Sequence, residues 1–417
     1  MAVRNQVAIN TARNNIEKYR KGAIRIKAID QHGLPLRNIR LDVKQISHKF
    51  KFGCYVKIDD LDPVKLPDYE SHLSALFNYA VIGTYWDNTE NRQDDENWKW
   101  FDREVELSSK LGLDIQAAPI LWGTSKYGTP DWLPQQQDEL LATLKKRVRS
   151  TVTRNANISD NEIVNEPLAP SDDMFARVAG NEYIATAFYS AMEADPKKRR
   201  MINEYGVFGA VEKHNYNDRR YFNLLERLIK KGVPIDIIGI QAHANGEWFE
   251  PANVAAELDR YATLGKPIQI SEFSAQTLEF DDRKTPLSIT GKYHSGIWDD
   301  EKQAEFYREF YTIAFGSPQV EAITTWGLDD DRAWLPGIGL INKNGHPKPV
   351  FSELDRLINK EWKTRSASLS NAEGFYNLRG FYGNYEVTAT SRNGKIVRST
   401  FTLTNQKTDA WVIKLKI

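Results

Sequence analysis

A single cysteine, Cys54, among 417 residues leaves no partner for an internal disulfide. It sits in the apolar run Lys51-Phe52-Gly53-Cys54-Tyr55-Val56, where a thiol reads as packing rather than as a nucleophile. No stretch approaches the roughly 20 continuous apolar residues of a membrane span. No signal-peptide pattern opens the chain. Neither sign of charge is in excess, with 56 Lys plus Arg against 56 Asp plus Glu, so composition points to neither nucleic acid nor an anionic membrane surface. The seven histidines, His32, His48, His72, His214, His243, His294 and His346, stand without ligand spacing, and neither a metal nor a cofactor is implied. A Gly-rich phosphate turn after the first strand, the mark of a dinucleotide-binding open sheet, is also missing.

Aromatic residues, by contrast, are abundant: 11 Trp, 18 Tyr and 18 Phe. Flat rings suit cores, and they also suit the apolar C–H faces of pyranose sugars. Between about residues 50 and 362, short apolar runs alternate with amphipathic helical segments, which predicts parallel strands with crossover helices. Eight strands are expected at 51–56, 79–85, 114–121, 161–165, 200–204, 235–241, 267–271 and 321–326. Helices are expected between them, among others at 99–111, 135–150, 173–194, 214–231, 252–264 and 301–315. That count makes an α/β protein with a closed (β/α)8 TIM barrel.

The two chain ends differ from the middle. A helical pattern at 9–21 precedes runs at 23–29 and 39–46 that alternate apolar and charged residues, and the tail repeats that alternation at 385–390, 396–404 and 411–415. Asn393-Gly394 marks a hairpin. These runs predict a small antiparallel β accessory module built from both ends; two unrelated extensions are the alternative. The expected organisation is 1–48 for the N-terminal helix and strands of the module, 49–362 for the catalytic barrel, and 363–417 for the module's C-terminal strands.

Active sites of such barrels lie at the C-terminal ends of the strands. There the sequence places Asn165-Glu166-Pro167 after strand four, Asn203-Glu204-Tyr205 after five, Gln241-Ala242-His243 after six, Ser271-Glu272-Phe273 after seven and Trp326-Gly327 after eight. A carboxylate that follows a buried run must be solvated, paired or functional. Two facing carboxylates are what cleavage of a glycosidic bond needs, one as acid/base and one as nucleophile or base. Glu166 and Glu272 are the catalytic candidates, and Glu204 is a rival carboxylate. Asn165 suits a hydrogen bond to a sugar hydroxyl, His243 can orient Glu272, and Trp326 offers an apolar wall. Each of these has a bland reading as a helix N-terminus, a structural histidine or a core tryptophan; their co-occurrence at successive strand ends favours catalysis.

At these residues the chain resembles glycoside hydrolase family 10, the endo-β-1,4-xylanase-like family. Ile163-Val164-Asn165-Glu166-Pro167 is similar to its acid/base motif and Ile270-Ser271-Glu272-Phe273 to its nucleophile motif. Further matches are Phe50-Lys51-Phe52-Gly53, Gly239-Ile240-Gln241-Ala242-His243, Thr325-Trp326-Gly327-Leu328 and Ala333-Trp334-Leu335. The resemblance implies a retaining mechanism and a polysaccharide or oligosaccharide substrate. It also implies sugar-binding roles for Asn165, Gln241, His243, Tyr205, Trp122, Trp326 and Trp334. A secreted or periplasmic setting would suit that substrate class.

Departures from the family bear on substrate. Its third strand normally carries two histidines, and here those places hold Ala118 and Gly123. Its second strand normally carries Glu-Asn and then Lys-Trp; the corresponding residues are Val81-Ile82 and Tyr85-Trp86, or, with a gap, Glu90-Asn91 with Asp94 at the Lys place. The space left at Ala118 and Gly123 is expected to admit a larger or decorated sugar. The segment 274–300, with Tyr293 and Trp298, is expected to close one end of the cleft. Two other functions stay open on sequence alone: a related β-glycosidase acting on a non-xylan or short substrate, and a non-catalytic carbohydrate-binding protein on a hydrolase scaffold.

Overall fold

The computed structural model describes residues 2–168, 173–209, 217–291, 293–405 and 411–414. Eight parallel strands form one closed barrel: Lys51–Val56, Tyr79–Gly83, Asp114–Ala118, Ile158–Asn165, Arg199–Glu204, Ile237–Ala244, Ile268–Ala275 and Val320–Thr325. The first pairs with the eighth, Gly53 beside Thr324, and the third with the fourth, Ile115 beside Ile158, so the sheet has no free edge. Tyr79–Gly83 and Ile268–Ala275 are buried along their whole length, as expected of strands covered on both faces. Helices form the outer layer. In Asp218–Lys230 the buried residues Asp218, Tyr221, Leu224, Leu225 and Leu228 recur at helical spacing and lay one stripe on the barrel.

Differences from the sequence expectation are local. The expected third strand, 114–121, is two pieces, Asp114–Ala118 and Leu121–Trp122, with Pro119 between them. Proline has no N–H for the ladder, which resumes where Leu121 and Trp122 meet Val164 and Asn165. The expected helix 173–194 is also two, Met174–Ala179 and Glu182–Ala194, parted at Gly180 in the left-handed region (φ 55°). The helix expected at 9–21 spans Ala2–Tyr19. Its Ile9, Ala12 and Ile16 join the barrel's own core. Gly316 permits that contact, since a Cβ there would stand 2.6 Å from the Ala12 carbonyl oxygen.

Both chain ends build one module of two sheets. Lys21–Ile29 pairs antiparallel with Phe375–Phe381 and parallel with Trp411–Lys414. Arg40–His48 lies between Arg365–Leu369 and Gly383–Thr390, and the latter pairs with Ile396–Leu403. The pairing with Trp411–Lys414 makes the module not purely antiparallel. Alternate residues, Ile24, Ile26 and Ala28 on one sheet and Tyr385, Val387 and Ala389 on the other, fill the space between them.

The N-terminal mouth of the barrel is closed by ions. Asp160 Oδ2 accepts from Lys51 Nζ (2.7 Å), Arg199 (2.7 Å), Tyr79 OH (2.9 Å) and Gln269 (3.1 Å). Arg199 also pairs with Glu321 at 2.7 Å. The opposite mouth is thereby left to the strand C-termini and their side chains.

Candidate active site

Irregularities in two strands aim the polar groups. The seventh strand shifts register between Ile270 and Glu272, so that Glu272 lies beside Gln241 and Ser274 beside His243 on the sixth. The fourth shifts between Glu162 and Val164, which sets Asn165 beside Asn203. Bulges of this kind re-aim side chains near sites. Glu166 follows immediately with φ 51°, a left-handed conformation unusual for a residue with a side chain, and its N–H is held by the Asn203 carbonyl at 2.9 Å. Such strain costs on the order of 1–3 kcal/mol and persists where the surroundings over-determine it.

A continuous hydrogen-bond network joins the two glutamates. Glu166 Oε1 accepts from Gln241 Nε2 at 2.8 Å and Oε2 from the Trp122 indole N–H at 3.0 Å. Gln241 also reaches Asn165 Oδ1 at 3.4 Å. The Asn203 amide donates both to Asn165 Oδ1 and to Glu272 Oε1, each at 3.0 Å, while its own oxygen accepts from Ser271 at 2.6 Å. His243 Nε2 lies 3.1 Å from Glu272 Oε2, and its Nδ1 lies 2.8 Å from Ser274 Oγ. An Nε2–H tautomer donates to Glu272 and leaves Nδ1 to accept from Ser274.

Burial, first of all, lifts the Glu166 carboxyl from its ordinary 4.5 to about 7; the negative charge of Glu272 adds to this, and the Gln241 and Trp122 donors oppose it. Glu162, also on the fourth strand and fully enclosed, is pushed well above the carboxylate range by burial and then by Glu272 and Glu166. The rival Glu204 is buried as well, raised chiefly by burial, and its oxygens accept the backbone N–H groups of Leu168 and Tyr205 at 3.0 Å each. The arrangement therefore holds one carboxyl raised toward neutrality beside a second that accepts from Asn203 and faces His243, as acid/base chemistry on one bond requires.

The profile described as glycosyl hydrolase family 10 matches residues 43–356. The chain belongs to glycosyl hydrolase family 10. Among curated relatives, "Endo-1,4-beta-xylanase B" of Thermotoga neapolitana is 29% identical over 72% of this chain and 87% of its own length. "Endo-1,4-beta-xylanase" of Geobacillus stearothermophilus is 27% identical over 73% and 94%. Among solved structures, xylanase 10B from Thermotoga petrophila in complex with xylobiose shares the fold, with a TM-score of 0.62 at 23% identity, over 75% of this chain and 95% of its own. The chain is a glycoside hydrolase with xylanase relatives.

Against this family 10 frame the departures take physical form. The space expected at Ala118 and Gly123 is not there. Ala118 is buried among Tyr79, Val81, Ala322 and Trp326, with Tyr55 packed on them. A Cβ at Gly123 would stand 1.9 Å from Asp173 Oδ1, so that carboxylate occupies the place. Of the second-strand residues, Val81 and Ile82 are fully buried and Trp86 packs edge-on to Trp132 in the core. Glu90 is engaged by the Trp86 indole and the Asp94 N–H. Only Tyr85 turns toward the cleft, where it meets Trp122 at 6.0 Å between centroids. Trp298 does not close the cleft: it is fully buried between Trp248 and Phe306, and Tyr293 is tied to Glu309.

The remaining family positions fall around the carboxylates. Trp326 is nearly buried, one face covered by Tyr55 at 4.3 Å. Trp334 is 52% exposed and meets His243 edge-on at 5.1 Å. Tyr205, half-buried, follows Glu204 and feels the charges of Glu204 and Glu166. Glu162 and Tyr55 are site residues outside the strand-end motifs; Asn203 stands in the strand-five motif without an assigned role, and its register beside Asn165 gives it one. Among the described residues one trio has spacing suited to a metal, His294, Glu305 and Glu309, with ligand atoms within 4.8 Å of one another. Its carboxylates are already engaged, Glu305 by Lys302 at 2.6 Å and Glu309 by Trp248 and Tyr293.

Proposed function

We propose that this family member is a retaining glycoside hydrolase acting on a β-1,4-linked, xylan-like glycan, with Glu166 as acid/base and Glu272 as nucleophile. The observation that carries the reading is the unequal treatment of two linked carboxyls. Glu166 is lifted to about 7, and Glu272 accepts from Asn203 and faces His243. In the first step Glu272 attacks the anomeric carbon while Glu166 gives its proton to the departing glycosidic oxygen. The glycosyl ester on Glu272 is then opened by a water whose proton returns to Glu166, and configuration is retained. In this reading Asn165 bonds a hydroxyl of the reacting sugar, in a contact that strengthens in the transition state and lowers the barrier. The sugar-binding roles of Gln241, His243, Tyr205, Trp122, Trp326 and Trp334 belong to the same proposal.

The test uses two variants on aryl β-xylobiosides. Glu272→Ala is expected to abolish turnover and, with azide, to yield the glycosyl azide of inverted configuration. Glu166→Ala is expected to spare the first step for good leaving groups and to lose it for poor ones. Equal loss for both leaving groups would remove Glu166 from the acid's role. A retained anomer in the azide product would remove Glu272 from the nucleophile's.

A further inference from the structure

At the barrel's N-terminal mouth, on the far side from the two glutamates, the barrel and the accessory module border a cavity of about 560 Å³. Its barrel wall carries Lys51, Arg199 and Glu321, at the starts of strands one, five and eight. Its module wall carries Arg20, Lys49 and Tyr382. Arg20 joins the helix Ala2–Tyr19 to the strand Lys21–Ile29, and Lys49 lies in the short link between Arg40–His48 and the first barrel strand. The Tyr382 backbone sets these two cations side by side. Its N–H donates to the Arg20 carbonyl and its own carbonyl accepts from the Lys49 N–H, both at 2.9 Å.

The cations of the two walls differ in their partners. Lys51 and Arg199 share the enclosed Asp160, and Arg199 also pairs with Glu321. Arg20 has no carboxylate to itself. Its Nε donates to the Phe315 carbonyl and its Nη2 to those of Ser317 and Val320, each at 2.6 Å. These bonds tie the turn between the helix Asp300–Gly316 and strand eight, a structural duty, but they use only part of the guanidinium fork. Nη1 has no partner among the described residues and is not sealed from solvent, so it opens on the cavity. The Lys49 ammonium likewise has no hydrogen-bond or ion-pair partner among the described residues. Burial lowers the Arg20 pKa to about 10, against the pull of Glu321, which leaves the group charged at neutral pH. Burial also holds the neighbouring His48 neutral there, with its pKa down to about 4. The two cations without a carboxylate partner are therefore an excess of positive charge on one wall.

We infer that this cavity is a binding site for a small organic anion, whose carboxylate or phosphate oxygens are held by Arg20 Nη1 and the Lys49 ammonium. The inference is independent of the hydrolase reading above. The charge of the ligand follows from the donors. A guanidinium edge and an ammonium set side by side repel one another, and an oxyanion between them replaces that repulsion with two charge-assisted hydrogen bonds. Its size follows from the cavity. A volume of 560 Å³ falls in the range of small-molecule pockets and is far larger than a bare oxyanion, so the ligand carries an organic body. An anion held there lies between the module and the positively charged barrel wall of Lys51 and Arg199, and so ties the two together. Arg20 stands outside residues 43–356, the span shared with the family, so the site is particular to this chain.

The experiment measures calorimetric binding of glucose 6-phosphate, glucuronate, inorganic phosphate and neutral glucose to the full chain, with the melting temperature under each. At least one of the two organic acids should bind and raise Tm, since a ligand of the folded state alone stabilises it. Lys49→Met should weaken that binding about ten-fold or more, the effect of one lost charge-assisted bond, and Lys49→Arg should restore most of it. Without ligand the Tm of Lys49→Met should match wild type, because the ammonium has no partner to lose. A second arm needs no variant: added salt should weaken acid binding to the wild type, and an affinity indifferent to salt overturns the inference. Absence of binding by both organic acids, or equal affinity in Lys49→Met, also overturns it. Glucose binding that depends on Lys49 overturns the anionic class, and inorganic phosphate binding as tightly as glucose 6-phosphate overturns the organic body. Between the two acids, the tighter binder identifies the group as phosphate or carboxylate, and either result supports the site.

Discussion

Gln241 donates its side-chain amide to Glu166 Oε1 at 2.8 Å, from the strand that also carries His243 two residues on. One strand therefore touches both candidate carboxyls, one through each side chain.

This relationship fixes a pH dependence. A donor to a carboxylate favours the charged form, so Gln241 lowers the Glu166 pKa against the larger upward push of burial. The acid must be protonated for the first step, so activity should fall as pH rises through about 7. Replacing Gln241 by Leu removes the opposing donor, and the alkaline limb of kcat/KM should move to higher pH. A limb that stays in place or moves to lower pH would contradict it. The profile of kcat/KM against pH is the measurement.

The filled position at Gly123 makes a stability prediction. Gly123→Ala drives a methyl into the Asp173 carboxylate, which also accepts from the Ala176 N–H and the Tyr183 hydroxyl. Overpacking of this kind costs about 1–3 kcal/mol, read from urea unfolding. Asp173→Gly alone should also destabilise, through the lost cap and the lost Tyr183 bond. In the double variant the two losses should sum to less than their parts, because the clash is gone. Strict additivity would show that the two side-chain positions do not compete.

The ion network at the barrel's other mouth predicts acid sensitivity. Burial alone would raise the Asp160 carboxyl, but Lys51 and Arg199 outweigh it and hold the group well below its ordinary range. A depressed carboxyl stabilises the fold above its unfolded pKa, near about 4, and that contribution is lost as pH falls below it. Asp160→Asn should therefore cost about 3 kcal/mol at neutral pH, at the low end for a broken buried pair because Arg199 is one-third exposed. The gap to wild type should narrow on acidification, as followed by denaturant midpoints at pH 7 and pH 3.

The barrel was legible because its strands are nearly unbroken apolar runs, and because Glu166 and Glu272 stand directly after two of them. Periodicity located each of the eight strands to within a few residues. It failed at Pro119 and Gly180, where a single residue without an N–H or a Cβ reshapes the backbone, and at the N-terminal helix, whose polar start hid its length. The gathering of Asn165, Gln241 and His243 around the two glutamates followed from strand ends in order. Asn203 stood among those strand ends too, but its part did not follow, because that depends on register, and register depends on bulges that leave no trace in an apolar pattern. The Ala118 and Gly123 positions show a different limit. A sequence records which side chains have shrunk, but not which neighbour has moved in, and here a tyrosine–tryptophan pair and the Asp173 carboxylate did so.

The pairing of Lys21 with Phe381 has a consequence for how the molecule comes into being. Lys21–Ile29 waits for this partner until the whole intervening barrel has been made, while the barrel's first strand waits almost as long for its eighth. Both closures are of very high contact order and are expected to be slow, late and nearly simultaneous. During that interval the unpartnered edges of Lys21–Ile29 and Lys51–Val56 are open to other chains until the ring shuts.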